Sequence, residues 1–271
     1  MILGVLWFTL FNKKSDLTDE LQSRLEVETS KQELKIREKL LLASEELRLF
    51  YSERDFEEAW SKNGKLTKLG AELKFEIAES KYDGLNPEDY HATDIDVLFQ
   101  AISDQKGNLK AKPFADLADL DLMLTDAFFL LAKDLEIGKV DPSTLKSAWD
   151  LGFNTPSVNY NELLNESIRK GSIKKGLETL YPEFKIYKKG REVIRDLDEK
   201  RKVDTLQWKT VQLEKSLKVG DSHASVPRLR DRLIFWGFLK PYDFQDELAF
   251  DTIMEAGLKR YQNNNGMEPD G

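Results

Sequence analysis

The stretch PFADLADLDLMLTDAFFLLAKDLEIG, residues 113–138, decides the fold. Leu117, Leu120, Leu124, Phe128, Leu131 and Leu135 recur at spacings of three and four and form one helical stripe. Leu122, Met123, Ala127, Phe129 and Leu130 widen that stripe to most of the circumference. A helix that is apolar nearly all round belongs in the middle of a bundle, and Gly138 is placed to close it.

Working outward, neighbouring segments supply the surrounding helices. Asn86 is a capping residue, Pro87 suits a first helical position, and Glu88 and Asp89 complement the positive end of the dipole, so NPEDYHATDIDVLFQAI predicts a helix. LTKLGAELKFEIAESKYDG predicts another, with Lys81 near its end and Gly84 just beyond it. In ELKIREKLLLASEELRLFYSER the residues Ile36, Leu40, Ala43, Leu47 and Phe50 fall at spacings of four and three, which predicts one buried helical face. After the central stretch, Asp141 and Pro142 mark a further helix start and WDLGFNTPSVNYN reads as a loop. Short helices are expected over 160–170, 172–180 and 182–199.

Composition agrees with a mainly α fold. The 271 residues are 40% hydrophobic and 33% charged, with only 15 glycines and 8 prolines, which is enough apolar content for real cores and too few turn residues for a β architecture. The net charge of -8 argues against a nucleic-acid binder acting through its global field, since such proteins need Lys and Arg to displace counterions. The absence of cysteine excludes disulfides, Cys-ligated metal and a cysteine nucleophile within this chain. With only His91 and His223 as imidazoles, a His-rich metal site is poorly supplied, and no cofactor is expected.

Three regions are expected. Residues 1–30 comprise the apolar run MILGVLWFTLF and a polar stalk or marginal helix, DLTDELQSRLEVETS. Eleven apolar residues fall short of the roughly 20 that span a bilayer, and Lys13 and Lys14 follow the run where a signal peptide would place its charges before it. Either the true start lies upstream or the run packs on the protein. Residues 31–204 form the main helical domain. Periodicity weakens near 204, and residues 205–271 hold two short amphipathic segments, SVPRLRDRLIFWG and DTIMEAGLKRYQNNNG. Two short helices make a very small core, so this module looks incomplete.

Several motifs resemble a known family. LRLFYSERDFEEAW, DGLNPEDYH and LTDA, followed by GKVDP and Trp149, are similar in order and spacing to the scaffold domain of the large bacterial L,D-transpeptidases. LKVGDSHASVPRLRDRLIFWGFL and LKRYQNNNGMEPDG resemble the peptidoglycan-binding-like module of the same enzymes. The resemblance implies a helical scaffold domain followed by a partial peptidoglycan-binding-like module. It implies the non-catalytic N-terminal portion of an enzyme that cross-links peptidoglycan stems through a cysteine thiolate in a C-terminal catalytic domain missing from this chain. Peptidoglycan is then the expected partner, the periplasm or cell envelope the expected location, and the apolar start a membrane tether. The alternatives are a free-standing envelope binding protein without chemistry and an intracellular helical adaptor.

Single residues read as follows. Arg228, Arg230 and Arg232 form a basic cluster followed by Trp236; the plain reading is a solvated helix face with Trp236 buried. The sharper one is a ligand surface that, with Tyr261, takes carboxylates on arginine and sugar on aromatic rings. His91 reads as structural and His223 as a loop residue, while Phe50, Tyr51, Phe56 and Trp60 read as a hydrophobic seam. Asp119, Asp121, Asp126 and Asp134 would serve a glycosidase only if two faced each other across a cleft, and among 49 acidic residues helically spaced pairs arise by chance.

Overall fold

The computed structural model describes residues 16–26, 33–104, 113–140, 157–206, 208–213 and 216–271. The expectations for the apolar start, for Asp141 and Pro142, and for Trp149 lie outside them. The fold is mainly α, and it divides into two compact units, 1–196 and 197–271.

In the first unit the stretch at 113–138 forms helix α5 (Pro113–Ile137), whose residues from Leu117 to Phe129 are buried without a break. Around it pack α1 (Asp16–Leu25), α2 (Ser44–Ser52), α3 (Lys68–Glu79), α4 (Ala92–Asp104) and α6 (Tyr160–Lys170). The expected stalk is therefore corrected. Leu17, Leu21 and Leu25, spaced by four, are buried in the main core, so α1 is a core helix whose polar remainder faces outward.

A second correction concerns residues 35–40, expected to be helical. They form a hairpin of β1 (Lys35–Ile36) and β2 (Lys39–Leu40), paired antiparallel with Ile36 opposite Lys39. Arg37 and Glu38 both have positive φ, 47° and 69°, as a two-residue hairpin turn of this hand requires. The helix starts only at Ser44, beyond the hairpin, with the Ala43 N–H at its N-cap donated to Asp126 of α5 at 2.7 Å. Ile36, Ala43, Leu47 and Phe50 are buried as expected and Leu40 only partly, so the spacing read most of the burial correctly and the backbone wrongly.

The same device recurs in β3 (Ser61–Lys62) and β4 (Lys65–Leu66), where Asn63 and Gly64 supply the two positive φ values. Each hairpin is closed one residue further out, Leu41 N–H to Leu34 O and Thr67 N–H to Trp60 O, both at 2.8 Å. Each then runs into a helix packed on α5, so the first unit contains two successive hairpin–helix pieces.

Between α3 and α4 the chain makes two short 3-10 turns, Ser80–Asp83 and Pro87–Tyr90. Asn86 caps the second, and His91 takes a left-handed conformation with φ 60° before α4 begins. Beyond α6, helix α7 (Ile173–Glu178) is capped twice: Ser172 accepts from the Lys175 N–H, while Glu72 of α3 accepts from the N–H groups of Ile173 and Lys174. Helix α8 (Lys185–Val203) follows and contains no buried residue.

The second unit holds α9 (Val226–Phe235) and α10 (Thr252–Asn264), joined by a loop whose Ser222–Ala249 bridge and Phe250 N–H to Asp221 O bond fold it back. Val226, Leu233, Leu239, Phe250 and Met254 form its core. The division falls at 196/197, within α8, where periodicity had placed a boundary near 204; a helix that continues through a change of packing partners leaves no mark in its own spacing.

Candidate functional site

The polar groups on α5 form a connected internal network. Asp121 is 1% exposed; its Oδ1 accepts from the Tyr51 hydroxyl at 2.6 Å and from the Ala59 N–H at 2.9 Å, and its Oδ2 from the Trp60 N–H at 3.0 Å. Thr125 Oγ1 accepts from Trp60 Nε1–H at 2.9 Å and donates to the Asp121 carbonyl at 2.8 Å. One turn on, Asp126 holds the Ala43 N–H on Oδ1 and His91 Nε2 on Oδ2, the latter at 2.7 Å. Asp134 accepts from the Tyr90 hydroxyl at 2.7 Å. Towards the start of the helix, Arg24 and Arg37 converge on Asp119, and Arg37 also reaches Asp116.

These partners are the residues that stood out in the sequence: Tyr51, Ala59 and Trp60, Tyr90 and His91, Thr125 and Asp126. The sequence scattered them over some 75 positions; α5 gathers them. Burial raises the Asp121 carboxyl to about 6, against the pull of the Tyr51, Ala59 and Trp60 donors. Burial, then the neighbouring Asp121 charge, pushes the Tyr51 hydroxyl well above its usual range. The carboxylates considered for a hydrolase are thus each engaged by donors from other elements, and Asp121 and Asp126 are closed off from solvent. The arrangement locks hairpins and helices onto α5; it offers no open nucleophile or acid. Phe50, Tyr51 and Trp60 lie fully within the same core.

In the second unit the predicted ligand residues separate. Arg230 is only 3% exposed: its Nη1 and Nη2 donate to the carbonyls of Glu247 and Ala249, and its guanidinium lies 4.0 Å from the Phe244 ring centre. That corrects the plain reading of a solvated helix face and gives Arg230 a structural role. Tyr261 packs edge-on against Phe238 at 5.4 Å, beside the small core. Arg228 and Arg232 remain towards the surface, donating to the carbonyls of Thr210 and Lys209 and lining a groove of about 400 Å³ with Leu206, Pro227, Asp231 and Glu247. Trp236, expected to be buried, is 36% exposed.

A residue that the periodicity did not mark completes this face. Trp208 stacks under the Arg232 guanidinium at 5.1 Å and meets Phe235 and Trp236 at 5.6 and 6.1 Å, and Lys200 sits 5.0 Å over Trp236. Arg228, Arg232, Trp208 and Trp236 are therefore contiguous, whereas Arg230 and Tyr261 are not part of the patch. Only an isolated tryptophan in a weakly patterned stretch signalled Trp208. Among the described residues no group of His, Asp and Glu is arranged to hold a metal ion, and no helix is long and apolar enough to cross a membrane.

Comparison with known families agrees with the first unit. Residues 45–193, more than half of the chain, match the family model described as Scaffold domain, and the chain belongs to that family. The match runs from α2 into α8 and contains most of the network on α5. No curated protein and no solved structure matches the chain.

Proposed function

We propose that the chain is the non-catalytic N-terminal portion of a cell-wall L,D-transpeptidase, which holds and orients a catalytic domain and engages peptidoglycan. The observation that carries this reading is the network on α5. Three of the motifs that resemble that enzyme family bond directly to the fourth inside the first unit, Tyr51 and Trp60 to Thr125 and His91 to Asp126, while Tyr51, Ala59 and Trp60 also share Asp121 of the same helix. A resemblance made of mutually dependent interior contacts is more specific than the same number of surface matches. Membership of the Scaffold domain family is in keeping with a supporting role. Having no cysteine, the chain supplies no thiolate, so the chemistry falls to a separate domain.

On this reading the protein works in the periplasm or cell envelope, with the apolar N-terminal run as its tether. The face of Arg228, Arg232, Trp208 and Trp236 contacts the wall, guanidinium groups meeting stem-peptide carboxylates and indole rings meeting sugar. Co-sedimentation with purified sacculi tests the binding half. Wild-type protein should pellet with them, and the Arg232→Ala/Trp236→Ala variant should remain largely in the supernatant; equal pelleting would remove this face from the proposal. Reading the coding DNA past Gly271 tests the enzyme half. An open frame leading to a Ser-x-Gly-Cys-x-Arg-like motif is expected, and a stop codon would favour the free-standing binding protein.

A further inference from the structure

Helix α8 is docked the wrong way round for an amphipathic helix. Its residues at spacing four, Tyr187, Arg191 and Arg195, face the first unit: Tyr187 donates to Asp83, Arg191 pairs with Asp83 at 2.8 Å and lies 4.6 Å over Tyr181, and Arg195 bonds Glu79 at 2.9 Å and lies 4.8 Å over Tyr82. Two arginines are thereby turned inward. The apolar side, Ile186, Gly190, Val193 and Leu197 at spacings of four, three and four, points to solvent with Ile186 83%, Val193 45% and Leu197 46% exposed. That spacing is the repeat of a two-stranded coiled-coil seam, and the face has no partner among the described residues.

We propose that α8 pairs antiparallel with the α8 of a second copy of this chain. Two features of the helix select that occupant and that direction. Antiparallel pairing sets Ile186 against Leu197 of the second copy and the small Gly190 against its larger Val193. Nothing lies within 4 Å of where a Gly190 Cβ would stand, so the space Val193 needs is open. Parallel pairing would instead set glycine against glycine and leave a gap. The flanks agree: the positions bordering the seam carry Lys189 and Asp196, and an antiparallel pair brings Lys189 of each copy beside Asp196 of the other, giving two opposite-charge contacts by symmetry. Lys189 is available for the exchange, since its present bond to Glu192 at 3.1 Å joins two exposed side chains and is worth little. With only about three turns of seam per copy, the dimer is a weak, concentration-dependent one.

Sedimentation equilibrium on the intact chain should show the mean mass rising from the 31.3 kDa monomer towards the dimer with loading concentration. Val193→Lys should raise the dissociation constant at least about tenfold. Lys189→Asp and Asp196→Lys should each weaken the dimer, and their combination should restore it. The altered positions are exposed, and an unchanged circular-dichroism melt confirms that each variant folds. Direction is read from disulfides, which the cysteine-free chain makes unambiguous. A mixture of Ile186→Cys and Leu197→Cys proteins should cross-link between the two variants, because like residues would lie about 16 Å apart along the axis. A chain that stays monomeric at millimolar concentration, disulfides formed within each variant alone, or a monomer whose α8 stripe instead drives binding to anionic phosphatidylglycerol vesicles would each overturn the proposal.

Discussion

At the scale of single residues, the interior hydrogen bonds on α5 decide more than any exposed group. Thr125 accepts the buried Trp60 indole N–H at 2.9 Å. Thr125→Val keeps the shape and removes the acceptor, and should destabilise the first unit by about 1–3 kcal/mol in urea unfolding, while Thr125→Ser should recover most of it. If the valine and serine variants unfold at the same midpoint, the bond is not a stabilising one. Asp121 adds a pH dependence whose sign follows from its raised pKa. The folded state keeps a proton up to about pH 6 that the unfolded chain gives up near 4, so the stabilisation is complete below about pH 4 and is lost as pH rises through 6. The effect is on the order of 3 kcal/mol. Unfolding midpoints measured from pH 4 to 7 should therefore fall more steeply for wild type than for Asp121→Asn, in which this titration is absent. The asparagine variant should also be less stable throughout, because its amide would set a donor against the Trp60 or the Ala59 N–H.

At the scale of elements, two turns and one close approach carry the local architecture. The first hairpin puts Arg37 and Glu38 where the second uses Asn63 and Gly64, and a non-glycine residue at positive φ is strained. Arg37 is held there by its pairs with Asp116 and Asp119, whereas Glu38 is exposed and its side chain has no hydrogen bond or ion pair among the described residues. Glu38→Gly should accordingly stabilise the protein by about 0.5–1 kcal/mol, seen as a higher melting temperature, and Arg37→Gly should not. Between α6 and α7 the backbones meet at Gly176, where an added Cβ would stand 2.0 Å from Ser167 Oγ. Gly176→Ala should cost about 1–3 kcal/mol, and Ser167→Ala in the same chain should return part of it. Additive losses in the double variant would mean that the two helices do not touch in this way.

At the scale of the whole molecule, the two units differ in how much they bury. The first encloses α5 from Leu117 to Phe129, while the second rests on Val226, Leu233, Leu239, Phe250 and Met254 and on the carbonyl bonds of Arg230. Amide exchange should be slowest in α5 and markedly faster in α9 and α10, and equal protection in the two units would contradict that ordering. By itself the sequence determined the mainly α class, the central position of α5, the buried residues at 36, 43, 47 and 50, the short helices after residue 160 and the two helices of the second unit. Each of these follows from apolar spacing, which is a local property of the chain. Only the tertiary structure decided that 35–40 is a hairpin, that 16–25 is a core helix, that Arg230 is interior and that Trp208 completes an exposed face. The physical reason is that a helical spacing of apolar residues is satisfied by any backbone that buries them. Which backbone forms depends on partners far away in the chain, such as Asp126 taking the Ala43 N–H and Asp119 taking Arg37, and on carbonyls of a distant loop ready to receive a guanidinium.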